Sequence, residues 1–115
     1  METPLTPLEF ARRSRKLYGH REGVVDGSLR LTYEQFFERC DRWSAALQAM
    51  GVRKGDRVAY IAPNTHEQLE SFYAVPQTGA VLVPINFRLN ELLELALEVG
   101  DLLLVVVHVD PPLRV

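Results

Sequence analysis

The chain has 115 residues, 47% hydrophobic and 24% charged, with a formal net charge of −2. That length supports one hydrophobic core and not two, and the composition is that of an ordinary globular domain. The weak negative charge offers no general attraction to nucleic acid, and the single cysteine, Cys40, excludes an internal disulfide and suits a reducing compartment.

Charge is unevenly spread. Residues 1–60 hold 11 Lys/Arg against 8 Asp/Glu, while residues 61–115 hold 2 against 7. The basic excess includes Arg12, Arg13, Arg15 and Lys16, read as the wet face of one helix. The N-terminus, METPLTPLEFARRSRK, lacks the apolar core of a secretory signal. The greasy run Leu92 to Val109 is interrupted by Glu94, Glu98 and Asp101, and is too short and too charged to span a bilayer. A cytoplasmic protein with no membrane span is expected.

Thr6-Pro7-Leu8-Glu9 opens the first helix: Thr6 caps, Pro7 suits the first helical position, and Glu9 closes a capping box. Phe10, Ser14, Leu17 and Tyr18 fall on one side, and Gly19 stops the helix. Val24-Val25 and Leu29-Arg30-Leu31, parted by Asp26-Gly27, read as a hairpin with a tight turn. Thr32-Tyr33-Glu34-Gln35 starts a second helix with another capping-box pattern. Its buried stripe is Phe36, Cys40, Trp43, Leu47 and Met50, at alternating spacings of four and three, and Gly51 supplies the left-handed residue after it.

The turn Arg53-Lys54-Gly55-Asp56 leads into a strand from Arg57 to Ala62. Pro63-Asn64 ends it, and Asn64 or Thr65 caps a third helix that runs to about Thr78, with Pro76 kinking it or marking its last turn. Val81-Leu82-Val83 is a short buried strand closed by Pro84. Asn90 to Val99 reads as a fourth helix and Leu102 to Val109 as a last strand. Strands alternating with helices of ten or more residues imply an α/β class: Rossmann-like βαβ units with a parallel sheet flanked by helices. Residues 1–31 form a leading helix and hairpin, and residues 32–110 a βαβ core.

Motifs for chemistry are scarce. Neither GxGxxG nor GxxxxGK[ST] occurs, so neither backbone phosphate cradle is encoded. Lys54 lies between Gly51 and Gly55, but that segment runs from helix to strand, the reverse of a phosphate loop. His20, His66 and His108 are far apart, and Cys40 has no partner cysteine, so no metal site is expected. His66-Glu67 resembles the start of HExxH, but Glu70 stands where the second histidine belongs. His66 is read as an exposed first-turn residue, and Glu67 and Glu70 as a solvated carboxylate pair. Cys40 lies on the apolar stripe, where a thiol is inert. Ser14, Ser28, Ser44 and Ser71 lack any elbow motif. Trp43 is read as a core aromatic. No catalytic, cofactor-binding or metal-binding residue is assigned.

Three blocks carry a family resemblance. Leu31-Thr32-Tyr33-Glu34-Gln35-Phe36 resembles the LTYxEL core motif of the adenylate-forming (AMP-binding) superfamily, which includes acyl-CoA synthetases, peptide-synthetase adenylation domains and firefly luciferase. Met50 to Asn64, MGVRKGDRVAYIAPN, is similar to that superfamily's LGVxxGDRVA run, and Ala74 to Leu89, AVPQTGAVLVPINFRL, to its AxxxxGAVxVPxNxRL motif. Order and spacing match over about residues 5–90, and Ala74-Val75-Pro76 with Gly79-Ala80-Val81 looks most like fatty-acyl-CoA synthetases.

The resemblance implies a single partial α/β domain over residues 1–115, the N-terminal part of an adenylate-forming domain. It implies ATP, Mg²⁺ and CoA for the whole family's reaction, with none of them bound by motifs in this chain. The family joins a carboxylate to ATP, releases pyrophosphate, and passes the acyl group from the adenylate to CoA. The Thr/Ser/Gly-rich phosphate loop, the acidic ribose-binding residue and the C-terminal lysine have no counterpart here. The segment after Asn90 keeps the family's order of helix and strand but not its detail. The expectation is the N-terminal segment of a fatty-acid–CoA ligase, inactive alone. The alternative is a free-standing interaction module derived from such a ligase, forming a homodimer or docking on a full-length relative. A Rossmann-type nucleotide-binding protein shares the βαβ pattern but lacks the fingerprint.

Overall fold

The computed structural model describes residues 5–61, 64–85 and 104–107. The expected fourth helix at Asn90 to Val99 lies outside them. Helix α1 spans Pro7–Tyr18, and the Thr6 hydroxyl accepts from the Glu9 N–H at 3.3 Å. Glu9 does not turn back to close the box; its carboxylate takes Arg12 at 3.1 Å. Among the expected basic face, Arg15 departs from the solvent. It grips Glu34 through two nitrogens at 2.7 and 3.0 Å and Asp41 through a third at 2.6 Å, tying α1 to the next helix. On this helix Ala11 is buried, while Phe10 and Leu17, which share one side, stay 55% and 58% exposed.

Strands β1 (Glu22–Asp26) and β2 (Leu29–Thr32) form the expected antiparallel hairpin. Helix α2, Tyr33–Ala49, carries the full capping box: Thr32 Oγ1 accepts from the Gln35 N–H at 3.1 Å, and the Gln35 side chain accepts from the Thr32 N–H at 2.9 Å. Its stripe is Phe36, Phe37, Cys40, Ser44 and Leu47. Met50, expected at the end of that stripe, sits at the C-cap and is 62% exposed. There the chain turns away at Gly51, whose φ of +96° is left-handed and favours glycine.

Strand β3 (Arg57–Ile61), helix α3 (His66–Gln77), strand β4 (Val81–Ile85) and strand β5 (Leu104–Val107) complete the described chain. The three strands form one parallel sheet in the order β4-β3-β5, which confirms the expected α/β class with a parallel sheet and helices. Val58, Ala59 and Tyr60 of the central strand are buried, as a strand covered on both faces requires. Pro84 does not close β4 as expected. It pairs with Tyr60 and the strand continues to Ile85, because among the described residues β4 is an outer strand and its missing N–H interrupts no second ladder.

Two core clusters flank this frame. Ala11, Val24, Phe36, Phe37, Cys40 and Ala74 make one, where Tyr73 meets Phe36 and Phe37 edge-on at ring separations of 5.7 and 5.4 Å. Leu47, Val52, Val58, Val75 and Ala80 make the other, beside the sheet. Helix α2 contributes to both, so it joins hairpin, α3 and sheet into one body. Trp43 is half-buried against the edge of Tyr60, with centroids 5.5 Å apart, consistent with a core aromatic.

Candidate functional site

The start of α3 gathers polar side chains that the sequence spreads over 45 positions. Thr65 stands at the N-cap in extended conformation, yet its side chain makes no capping bond. The cap comes from the hairpin instead, where Asp26 Oδ2 accepts from the His66 N–H at 2.9 Å. A carboxylate there meets both an orphan amide and the positive end of the helix dipole.

His66 is not exposed as expected; its side chain is only 13% accessible. Nε2 lies 3.1 Å from Glu67 Oε1, and Nδ1 lies 3.2 Å from Glu70 Oε2. Nor are Glu67 and Glu70 a solvated pair. Glu70 is fully buried, and its other oxygen is held by Nε of Arg39, while Glu67 is partly covered. The i, i+4 spacing of His66 and Glu70 puts them on one helix face, a signal present in the sequence. Asp26 and Arg39 carry no such signal, since hairpin and α2 reach α3 only through the tertiary fold. A cavity of about 370 Å³ opens beside this cluster, its lining including polar Asp26, Thr65 and His66 and apolar Val25, Leu69 and Phe72.

Beneath the cluster, burial pushes the Tyr60 phenol up to about 12, with the Glu67 and Glu70 charges adding to the effect. Burial likewise pushes the Cys40 thiol up to about 12, reinforced by the charge of Glu70. Cys40 is fully buried and its thiol donates to the Glu70 carbonyl at 3.7 Å, which places it in the core. Ser44 is spent on structure too: its hydroxyl lies between the Cys40 and Ala74 carbonyls.

The Lys54 loop makes no phosphate cradle. The Gly55 N–H donates to the Gly79 carbonyl at 3.0 Å, and the Asp56 side chain accepts from the Arg53 N–H at 2.6 Å. Lys54 itself lies over Gly79, where an added Cβ would come within 3.1 Å of it; Gly79 has a φ of +82°. No helix among the described residues is long and apolar enough to cross a membrane.

Residues 10–109 match the family of AMP-binding enzymes. The chain is 42% identical over 87 residues to a peroxisomal benzoate–CoA ligase of Arabidopsis thaliana, covering 76% of this chain and 15% of that one. It is 46% identical over 84 residues to a feruloyl-CoA synthase of Amycolatopsis, covering 73% and 16% respectively. Among solved structures, the inhibitor-bound N-terminal domain of FACL13 from Mycobacterium tuberculosis superposes with a TM-score of 0.80 at 32% identity, over 87% of this chain and 26% of that one. The chain thus spans about a sixth of the length of the curated ligases it matches.

Proposed function

The chain belongs to the AMP-binding enzyme family, and on that premise we propose that it is the N-terminal segment of an acyl-CoA ligase. The whole enzyme would join a carboxylate to ATP, release pyrophosphate, and pass the acyl group from the adenylate to CoA. The observation that carries this reading is the match over three quarters of the chain to one end-sized share of CoA ligases. Likeness to a solved Mycobacterium tuberculosis fatty acyl CoA synthetase at 32% identity supports a fatty acid as the carboxylate, while the benzoate and ferulate relatives make aromatic acids the competing class.

The described residues do not fit ATP. The amides around Lys54 are paired inside the fold, and Ser44, Ser71 and Cys40 are buried in packing. Attack on the α-phosphate needs donors aimed at the developing charge, so the segment contributes scaffold and is inactive alone. The test is ATP–pyrophosphate exchange with palmitate, benzoate and ferulate. The 115-residue chain should give none, and a polypeptide carrying the remaining ligase sequence should exchange with one acid class. Exchange by the short chain alone would overturn the inactivity, and no exchange by the long one would overturn the ligase reading.

A second reading, an interaction module, is favoured by the exposed Phe10 and Leu17 on α1 and by the outer strand β4, which among the described residues pairs only with β3. It predicts self-association in sedimentation at tens of micromolar (a working range of about 10–100 μM for weak dimers). A single monomeric boundary removes it. The cytoplasmic expectation stands as part of this proposal; the Arabidopsis relative is peroxisomal, so imaging of a tagged chain decides between them.

A further inference from the structure

The geometry points to a binding site for one divalent transition-metal ion of the zinc class, formed by Asp26, His66 and Glu67 where the hairpin meets the start of α3. One ligand atom from each of the three lies within 4.8 Å of the others. His66 Nε2 and Glu67 Oε1 are 3.1 Å apart. Two atoms each about 2.1 Å from one zinc ion, at angles between a right angle and tetrahedral, are about 3.0–3.4 Å apart, so this pair already has the spacing of shared ligands.

Both ring nitrogens of His66 are engaged by carboxylates, and a neutral ring carries one N–H. With Nδ1–H donated to buried Glu70, Nε2 is the nitrogen that a metal ion shared with Glu67 would take. Glu70, itself gripped by Arg39, would then be the carboxylate that orients a metal-bound histidine through its far nitrogen.

Two buried hydroxyls without a hydrogen-bond partner among the described residues lie near the cluster. Tyr60 is 1% exposed, its hydroxyl has no hydrogen-bond partner among the described residues, and Glu67 and Glu70 are the charges that act on it. The Thr65 hydroxyl is also buried without a partner among the described residues, and Thr65 lines the cavity beside Asp26 and His66. Water completing the shell of an ion held by three protein ligands would supply donors to both. One imidazole nitrogen with two carboxylate oxygens suits zinc or cobalt rather than magnesium or calcium, which take oxygen alone.

The test is calorimetric titration of the 115-residue chain with Zn²⁺ near neutral pH, with Co²⁺ as a visible-absorption probe. One ion per chain should bind, with His20→Ala unchanged. His66→Ala should abolish binding. Asp26→Asn, whose amide oxygen can still accept the His66 N–H and keep the cap, should weaken it about tenfold or more. Failure to saturate at one ion per chain would mean that a proton alone bridges His66 and Glu67, and would overturn the site. Unaltered affinity in either His66→Ala or Asp26→Asn would do the same. If His66→Ala does not fold, Asp26→Asn and the ¹⁵N shift of His66 Nε2 on adding Zn²⁺ decide the matter.

Discussion

The Ser44 hydroxyl donates to the Ala74 carbonyl at 2.7 Å, joining α2 to α3 at the point where α3 loses its regular ladder. Near that end the Thr78 N–H goes to the Val75 carbonyl at 3.0 Å instead of to Ala74, and Pro76 supplies no N–H at all. A buried carbonyl left over by the helix is thus satisfied by a side chain from its neighbour.

Ser44→Ala removes that donor inside the core and leaves the Ala74 carbonyl short of a partner. The expected loss is about 1–3 kcal/mol of unfolding free energy, read as a lower urea midpoint at unchanged m-value. A midpoint equal to that of the unsubstituted chain would show that Ala74 finds another donor.

Arg39→Met leaves the Glu70 carboxylate buried with His66 as its remaining ion-pair partner. Breaking a fully buried pair costs about 3–5 kcal/mol, but Arg39 is 42% exposed, so about 1–3 kcal/mol is expected. The double variant Arg39→Met/Glu70→Gln should recover much of it. Chemical denaturation of four proteins (the unsubstituted chain, Arg39→Met, Glu70→Gln and the double variant) closes the cycle, and additive losses would show that the two side chains are uncoupled.

Cys40 and Tyr60 set the alkaline limit of stability. In the fold both are pushed up to about 12, from ordinary values of 9.0 and 10.0, chiefly by burial. Between the unfolded and folded values the native chain holds more protons than the unfolded one, so stability is full below about pH 9 and falls as pH rises toward 12. Thermal midpoints should decline across that window, with a shallower decline for Cys40→Ala. The same burial predicts that a thiol reagent at pH 8 labels Cys40 only after denaturant is added.

Much of the frame was legible because it rests on short-range rules. Thr32 and Gln35 lie three residues apart, and a capping box needs no more than that spacing and the two side chains. The three-strand parallel sheet followed from helix and strand periods in alternation, and the family from three motif blocks in register. Errors arose where a residue's fate depends on what lies across from it. Pro84 stays in β4 because no described strand pairs with the outer side of β4, and position in a sheet is not a local property. Phe10 and Leu17 share one side of α1, yet it is Ala11 that packs inward, against residues of the hairpin and α2.

The site shows the same division most sharply. Sequence alone determined that His66 and Glu70 share a helix face, that Cys40 belongs to an apolar stripe, and that no known phosphate loop is encoded. Only the tertiary structure brought Asp26 from the hairpin to the His66 amide and Arg39 from α2 to buried Glu70. Helix faces and caps are set by neighbours a few residues away. The environment that decides whether a carboxylate is solvated, paired or poised to bind is set by packing between segments 30 to 40 residues apart.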